Sequence, residues 1–332
     1  MPTRQSLLGA WVSFSQAAYN VIAMASRIAA FIAVALPLLA QAPAKKNALP
    51  EDDAATSITL DVTRVNMLFT VTDRKGRFVT SLEKTDFEIF ESKKPQQIVE
   101  FTSEANLPLR IGILIDTSNS IRDRFRFQQE AATDFTNAVI RQGEDKGMVV
   151  SFDSTAELVS DLTDNTEQLG RAIHSLRPGG GTALYDAIYF ACKEKLMAEQ
   201  PRDKYRRAIV LLSDGEDNDS RYSREQALEM AQKADVVVYA ISTNITHNET
   251  TGDKILKYFA EETGGQAFFP FQSRDMAQSF ENIANELRHQ YNVFYRPEPL
   301  KADGLYHPVD IRVKGRKDLA VRTRHGYYAP KF

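Results

Sequence analysis

The sequence predicts a mixed α/β protein with a doubly wound, mostly parallel sheet and a small flanking domain that resembles a β sandwich. Two observations lead to this prediction. Between residues 107 and 290, short apolar runs alternate with segments of helical periodicity, which is typical of a parallel sheet covered by helices on both faces. On either side of that region, apolar residues recur at every second position, which is the period of a half-buried strand.

Length and composition limit the class of protein. The chain has 332 residues, of which 43% are hydrophobic and 26% charged, as in ordinary soluble globular proteins. A single core stops growing at about 250 residues, so a large and a small domain are expected. The net charge of −3 and the scattered basic residues argue against a nucleic-acid-binding protein. The single cysteine, Cys192, excludes an intrachain disulfide and lies in an apolar segment, where a buried thiol is expected.

The first 44 residues have the pattern of a signal peptide. Arg27 precedes an apolar run of 13 residues, Ile28 to Ala40, and small residues follow it. A membrane-spanning helix needs roughly 20 residues. We therefore expect export to the periplasm or the cell exterior rather than a permanent membrane span. Translation from Met24 would give this signal a compact basic start, and residues 45–56 would then form a flexible linker.

Residues 57–104 are predicted to form the first part of the flanking β domain. Apolar and polar residues alternate from Val65 to Val71, and the turn sequence Asp73-Arg74-Lys75-Gly76 follows. Strand patterns return in residues 291–332. Because about 45 residues make only a marginal core, we expect the two flanks to fold together, with residues 107–290 as an insertion.

The elements of the central region are predicted from their apolar periodicity. The predicted strands are Arg110–Ile115, Met148–Phe152, Ala208–Leu212, Val236–Ile241 and Ala267–Phe271, and the predicted helices are Phe125–Arg141, Thr166–Leu176, Leu184–Met197, Arg224–Lys233, Lys254–Thr263 and Met276–Arg288. The strands are continuously apolar, as strands buried on both faces are. Gly264 directly after Thr263 is typical of a helix end, because glycine readily adopts the left-handed conformation found there.

Oxygen-bearing side chains follow three segments of this region. The strand that ends at Ile115 continues into Asp116-Thr117-Ser118-Asn119-Ser120, and the strand that ends at Leu212 continues into Ser213-Asp214-Gly215. A triple glycine, residues 179–181, leads to Thr182 at a helix start. Ligands bind at the carboxyl ends of strands in doubly wound sheets. The side chains that we predict to converge on one site are Asp116, Ser118, Ser120, Thr182 and Asp214.

These five residues offer the oxygen ligands of a hard divalent cation. Mg²⁺ prefers hydroxyl, carboxylate and water oxygens in an octahedral array, and the set contains no histidine or cysteine. Mg²⁺ is therefore the expected ion, with Mn²⁺ and Ca²⁺ as alternatives. If the hydroxyls bind directly and the carboxylates bind through water, the ion keeps much of its charge and one open position. A carboxylate of a protein partner can fill that position.

At these residues the sequence resembles the von Willebrand factor A and integrin inserted-domain family. The metal-ion-dependent adhesion site of that family has the pattern D-x-S-x-S, then T, then D, and every position is present here. The resemblance covers about Leu107 to His289 and implies a Rossmann-like fold. It also implies that Ser118, Ser120 and Thr182 bind the ion directly, with Asp116 and Asp214 binding directly or through water. Glycine is common in the family at the position of Asn119, and asparagine tolerates the same left-handed geometry.

The flanks resemble a narrower group, the exported von Willebrand A-related proteins of acidobacteria. The segments that carry this resemblance are Phe69–Phe78, Asp86-Phe87-Glu88, Pro95-Gln96, Tyr291–Pro297 and Gly326–Pro330. Members of this group have little assigned function, so this resemblance adds an expectation about export rather than about a partner.

Other interpretations of these motifs fit less well. An EF-hand beginning at Asp214 would have Glu216 at its third position and Asp219 in place of the turn glycine. The triple glycine lacks the G-K-[ST] of a phosphate loop. The five histidines, at positions 174, 247, 289, 307 and 325, show no H-E-x-x-H spacing. Basic residues between Arg312 and Arg324 alternate with apolar ones, which favours a solvated strand face over a surface that binds anions.

The predicted function is that of an exported, non-enzymatic binding module that grips an acidic residue of a protein partner through its cation. The alternative is a structural or assembly factor of an envelope complex, in which the metal site is regulatory or vestigial. An enzyme is a third interpretation, but metal-assisted hydrolysis would need a general base near Asp116 that the sequence does not show. The family resemblance also implies that the helix Met276–Arg288 can shift and so change the affinity for ligand.

Overall fold

The computed structural model describes residues 64–103, 107–201, 204–244, 246, 248–270 and 272–331. The predicted signal peptide, the predicted linker and the beginning of the predicted first β segment lie outside these residues. Within the described part of the chain, no helix has the length and apolar character needed to cross a bilayer.

The described residues contain fourteen strands and six α-helices. The strands are β1 (Val65–Asp73), β2 (Phe87–Glu91), β3 (Lys94–Gln96), β4 (Ile98–Thr102), β5 (Leu109–Asp116), β6 (Lys146–Phe152), β7 (Ala156–Thr163), β8 (Arg206–Ser213), β9 (Val236–Ser242), β10 (Ala267–Phe268), β11 (Tyr291–Tyr295), β12 (Tyr306–Val313), β13 (Leu319–Thr323) and β14 (Gly326–Tyr328). The helices are α1 (Phe125–Val139), α2 (Thr166–Ser175), α3 (Leu184–Phe190), α4 (Arg224–Lys233), α5 (Thr251–Thr263) and α6 (Ser273–Glu286). Short 3₁₀ helices span Lys84–Asp86, Asn119–Arg124 and Leu196–Ala198, and a π-helical turn spans Ala191–Lys195.

The central sheet has six strands in the order β10-β9-β8-β5-β6-β7. All of its pairs are parallel except β6 with β7. Every residue of β5 and of β8 is buried, because α1, α2 and α6 cover one face of the sheet and α3, α4 and α5 cover the other. The predicted doubly wound, mostly parallel sheet is confirmed.

Two four-stranded antiparallel sheets make up the flanking region. Their strand orders are β13-β1-β11-β4 and β14-β12-β2-β3, and each sheet combines strands from both sides of the central region. Val65 of β1 pairs with Tyr295 of β11, and Ile89 of β2 pairs with Ile311 of β12. Both sheets contribute buried side chains to one core, in which the rings of Phe69 and Phe87 meet edge to face. The predicted flanking sandwich is therefore confirmed, whereas the exact domain limits remain predictions.

The structure differs from the prediction in several elements. Strand β7 was missed, because it is a half-buried edge strand whose register with β6 is irregular and whose Glu157 and Asp161 are exposed. The predicted helix from Leu184 to Met197 is α-helical only as far as Phe190 and continues as the π-helical and 3₁₀ turns. Strand β10 has two residues instead of five. Pro270, which has no N–H to donate to a neighbouring strand, follows two residues later, and Phe271 lies outside the described residues. Strands β3 and β14 were not predicted as strands.

The sequence suggested that the basic residues between Arg312 and Arg324 form a solvated strand face. The structure shows that two of them make contacts with the central domain. Arg322 of β13 donates hydrogen bonds to the carboxylate of Glu286 in α6 and to the side chain of Gln266. Arg324 pairs with Asp235, which lies between α4 and β9. The pKa of the Glu286 carboxyl is raised by its burial, and the Arg322 guanidinium offsets part of that rise. These arginines therefore join the sandwich to α6 and to the loops that precede β9 and β10.

Candidate metal centre

The carboxylates of Asp116 and Asp214 emerge side by side at the carboxyl edge of the central sheet. Asp116 is the last residue of β5, and Asp214 directly follows β8. The two strands are parallel neighbours, with Ile115 paired to Leu212. The loops that follow both strands therefore begin next to each other at the same edge.

Two serine hydroxyls connect these loops. The Oγ atoms of Ser118 and Ser120 are 3.0 Å apart, and Ser120 Oγ donates a hydrogen bond of 2.6 Å to Asp214 Oδ2. The backbone N–H of Ser118 donates to Asp116 Oδ1 over 2.8 Å. Asp116, Ser118, Ser120 and Asp214 thus form one continuous cluster of oxygen atoms.

Asp116 is buried and hydrogen-bonded in surroundings that disfavour its negative charge. Its side chain is fully buried, and its Oδ2 accepts a hydrogen bond of 2.7 Å from Ser213 Oγ. Burial raises the pKa of Asp116 to about 6, against the lowering effect of its hydrogen bonds from Ser118 and Ser213, and the nearby Asp214 carboxylate raises it further. The charged group among the main causes of the shift is thus a second carboxylate. A divalent cation would supply the missing positive charge.

Thr182 is brought to the same loops by the triple glycine. Gly179 N–H donates to the carbonyl of Thr117 over 2.6 Å, and Asn119 Nδ2 donates to the carbonyl of Gly180 over 3.0 Å. Thr182 itself is buried, with 4% of its surface exposed. Its hydroxyl has no hydrogen-bond partner among the residues that the structure describes. The hydroxyl is therefore free to contact an ion.

The donor set fits a hard divalent cation. Two ligand oxygens at right angles on an octahedral Mg²⁺ lie ~2.9 Å apart, given Mg–O distances of ~2.0 to 2.1 Å. The observed separations of 3.0 Å between the serine hydroxyls and 2.6 Å between Ser120 and Asp214 are close to that value. Among the described residues, no group of three or more His, Cys, Asp or Glu side chains has the arrangement of a metal site. The two carboxylates would thus act together with hydroxyl ligands.

Asn119 does not have the left-handed conformation that the sequence led us to expect. Among the described non-glycine residues, positive φ values occur at Ser92, Lys93 and Asp235. Asn119 instead begins the 3₁₀ helix that leads into α1. Its side-chain oxygen accepts hydrogen bonds from Arg122, while its Nδ2 reaches Gly180. Asn119 therefore contributes by joining two loops rather than by its backbone freedom.

Sequence reasoning missed two residues that hold the loops in place. Ser213 Oγ connects Asp116 to the turn at Gly215, because it donates to Asp116 Oδ2 and accepts from Gly215 N–H over 3.0 Å. Asn218 Oδ1 accepts a hydrogen bond of 2.8 Å from the N–H of Thr182. Ser213 stands directly before Asp214 in the sequence, and that adjacency could have indicated its role. No local signal marks Asn218.

Replacing Gly252 with alanine is expected to weaken cation binding by about tenfold or more, the effect of disturbing the groups that orient metal ligands. A Cβ atom at Gly252 would lie 2.1 Å from the carbonyl oxygen of Asp214, so the Asp214 loop must move. Titration calorimetry with Mg²⁺ measures the change. Gly179→Ala is the matched control, because its Cβ would meet no atom within 4 Å. Equal affinities in the two variants would show that the loop adapts freely.

Comparison with protein-family models gives a match in the central region of the chain. Residues 111–216 match the family model described as von Willebrand factor type A domain. No curated protein gives a significant match to the chain.

Several solved structures are similar to this chain. Proximal thread matrix protein 1 from the mussel byssus, with a zinc-occupied MIDAS motif, is 20% identical at a TM-score of 0.47; the match covers 59% of this chain and 49% of that protein, so the chain spans about half of its length. A von Willebrand factor type A protein from Catenulispora acidiphila is 14% identical at a TM-score of 0.48, covering 73% and 72% of the two chains. The conserved hypothetical protein BatB from Bacteroides thetaiotaomicron is 17% identical at a TM-score of 0.44, covering 54% and 97%.

The matched residues include most of β5 and all of β6, β7 and β8. They therefore contain both of the paired carboxylates, Asp116 and Asp214. The helices on both faces of this sheet complete the doubly wound arrangement. Residues 111–216 of this chain are therefore similar in sequence to von Willebrand factor type A domains.

Proposed function

We propose that this protein is a non-enzymatic binding module that grips an acidic side chain of a protein partner through a divalent cation. The proposed ligands are Asp116, Ser118, Ser120, Thr182 and Asp214, and the proposed ion is Mg²⁺, with Mn²⁺ or Ca²⁺ as alternatives. One observation supports this most strongly: the Ser118 and Ser120 hydroxyls lie 3.0 Å apart, the Ser120 hydroxyl lies 2.6 Å from Asp214, and the Thr182 hydroxyl has no partner among the described residues. Von Willebrand factor type A domains are typically protein-interaction modules, which agrees with the proposal.

The charge of the donor set explains the preference for an acidic partner. Three of the five proposed ligands are neutral hydroxyls, so two carboxylates at most balance the charge of the ion. Neutral ligands leave the cation more electrophilic than a site of three or four carboxylates would. A partner carboxylate in the remaining position would add both charge balance and a hard oxygen ligand.

The proposal places the protein outside the cytoplasm, in the periplasm or at the cell exterior. The signal-peptide pattern of residues 1–44 supports export. The resemblance of the flanks to exported acidobacterial proteins points the same way.

Two titrations test the proposal. Calorimetry with Mg²⁺, Mn²⁺ and Ca²⁺ on the purified mature protein is expected to show one saturable site. With Mn²⁺ bound, the nuclear relaxation of ¹³C-labelled acetate is expected to increase strongly, because the carboxylate enters the open position, whereas labelled acetamide at equal concentration is expected to stay close to its free value. Absence of saturable cation binding, or equal relaxation of the two probes, would contradict the proposal.

A second candidate is a structural or assembly factor of an envelope complex. The edge strand β4 favours it, because β11 is its only neighbour among the described strands, and Val99 on β4 is 47% exposed. An exposed edge strand can pair with a strand of another protein. Complexes that survive removal of divalent cations with EDTA would favour this candidate, and complexes that dissociate would favour the metal-dependent module.

A further inference from the structure

We propose that Asn218 is a positioning residue of the metal centre, which holds Thr182 in place and thereby sets the affinity of the site for its cation. The inference rests on the proposed function of the site. Asn218 is not part of the D-x-S-x-S, T and D pattern, and it offers no ligand in the proposed set. Its contribution would pass entirely through the backbone of Thr182.

Asn218 and Thr182 form a reciprocal pair of hydrogen bonds. The N–H of Thr182 donates to Asn218 Oδ1 over 2.8 Å, and the N–H of Asn218 donates to the carbonyl of Thr182 over 3.0 Å. Asp219 N–H donates to the same carbonyl over 3.1 Å. Two bonds between the same residues fix the orientation of the Thr182 backbone as well as its distance. The direction of the Thr182 hydroxyl follows from that orientation.

The segment before Thr182 cannot provide this order by itself. It consists of Gly179, Gly180 and Gly181, and glycine loses more conformational freedom on folding than any other residue. Gly180 has a φ of +79°, a value that residues other than glycine rarely adopt. A Cβ at Gly181 would lie 2.2 Å from Asp219 Oδ2 and 2.8 Å from Asn218 Oδ1, so the absence of a side chain there lets both residues approach. The flexible loop and the asparagine therefore complement each other.

The helix that follows Thr182 has separate anchors. Ser220 Oγ accepts hydrogen bonds from the N–H groups of Tyr185 and Asp186, at 3.0 and 3.1 Å, and Asp217 Oδ2 also accepts from Tyr185 N–H at 3.1 Å. These contacts hold the first turn of α3, where N–H groups lack partners within the helix. Loss of the Asn218 side chain would therefore remove the acceptor of the Thr182 N–H and loosen the orientation of Thr182, while the start of α3 stays attached.

This separation provides a matched pair of variants. Asn218→Ala removes the acceptor for Thr182, and Asn218→Asp keeps an oxygen at the same place. Ser220→Ala removes a side chain from the same loop that serves α3 and not Thr182. A purely structural role of the loop would make Asn218→Ala and Ser220→Ala alike, whereas a positioning role separates them in cation affinity.

The experiment combines calorimetric titration of Mg²⁺ and Mn²⁺ into the full mature protein with thermal unfolding in EDTA. Asn218→Ala is expected to lower cation affinity by about 10- to 100-fold, the range for groups that orient metal ligands, with little change in the unfolding temperature without cation. Asn218→Asp is expected to restore the affinity. Ser220→Ala is expected to lower the unfolding temperature and keep the affinity within about threefold, because it leaves the ligand-orienting contacts in place.

Each outcome decides a separate question. If the wild type binds cation and Asn218→Ala binds it equally well, the positioning role is wrong and the proposed function stands. Equal losses of affinity in Asn218→Ala and Ser220→Ala, or a failure of Asn218→Asp to restore binding, would also overturn it. A wild-type protein that binds neither cation would overturn the proposed function and this inference with it.

Discussion

Replacing Asp116 with asparagine is expected to lower Mg²⁺ affinity by about 100-fold or more, while the cation-free protein becomes more stable. The loss of affinity follows from removing a carboxylate from the proposed ligand set, which contains only two. The gain in stability follows from the burial of Asp116, which raises its pKa to about 6. At pH 7 the carboxylate is ionised in a folded protein that disfavours its charge.

The asparagine can keep the contacts of the aspartate. Its Oδ1 can accept from Ser118 N–H, and its Nδ2 can donate to Ser213 Oγ, the two groups that now contact Asp116. The fold is therefore retained, and removal of the unfavourable charge is expected to raise the free energy of unfolding by roughly 1 to 2 kcal/mol at pH 7, since one pKa unit corresponds to about 1.4 kcal/mol. Such an exchange of stability for function is common at binding sites.

Titration calorimetry and chemical unfolding in EDTA measure the two effects. Asp134→Asn is the control for the change in net charge, because Asp134 is exposed on α1. This control is expected to change neither the affinity nor the stability measurably. Unchanged Mg²⁺ binding in Asp116→Asn would remove Asp116 from the ligand set. A cation-free variant less stable than the wild type would instead assign Asp116 a structural role.

Asp145→Ala is expected to lower the free energy of unfolding by about 3 kcal/mol, the lower end of the cost of breaking a buried ion pair, because the Arg141 and Arg288 side chains that it leaves behind are 34% and 25% exposed. Asp145 is fully buried and accepts hydrogen bonds from Leu109 N–H at 2.7 Å, Arg141 Nε at 2.9 Å and Arg288 Nη2 at 2.6 Å. Leu109 begins the central sheet and Arg288 follows α6. Asp145 therefore holds together the two places where the chain passes between the sandwich and the central domain.

The contribution of Asp145 should depend on pH in a defined direction. Burial raises its pKa, but hydrogen bonds from Arg141, Arg288 and the backbone lower it more, to about 2. Because this value lies below that of the unfolded chain, about 3.9, the stabilisation is present above pH ~4 and is lost as the pH falls towards ~2. The difference in unfolding temperature between wild type and variant should shrink over that range.

Thermal unfolding at pH 7 and at lower pH measures this effect, with an expected decrease of roughly 6 to 15 °C at pH 7. Asp318→Ala is an informative control. The pKa of Asp318 is also lowered to about 2, chiefly by its hydrogen bond from Arg316, but this pair lies at the surface. Exposed ion pairs contribute little, so no measurable change is expected. Similar effects of the two variants would show that burial at Asp145 is not decisive.

The elements with a strong local pattern were predictable from the sequence. Strands β5 and β8 are buried along their whole length, their inner parts are apolar, and the candidate ligands Asp116 and Asp214 stand at their carboxyl ends. The helix end at Gly264 was also predictable, since this glycine has a φ of +84° as the C-terminal cap of α5. In these cases local chemistry and tertiary structure require the same residues.

The long-range contacts could not be predicted in this way. Asn218 reaches Thr182, and Arg322 reaches Glu286, only because separate elements meet in the folded chain. Nothing in the neighbouring residues marks such a partner. Strand β7 was missed for a related reason, because its role depends on pairing with β6 rather than on an apolar run of its own. The predicted ligand set remains a prediction, and the close approach of its oxygens is what makes it testable.

The interleaved sandwich has a consequence for the order in which this protein folds. Strand β1 lies between β11 and β13, and β2 pairs with β12, so the strands made first wait for neighbours that are made last. The central domain, by contrast, takes all six strands of its sheet from one continuous part of the chain and can form during synthesis. Closure of the sandwich is then the final step, and a chain interrupted after the central domain would leave apolar strands exposed for pairing with other molecules.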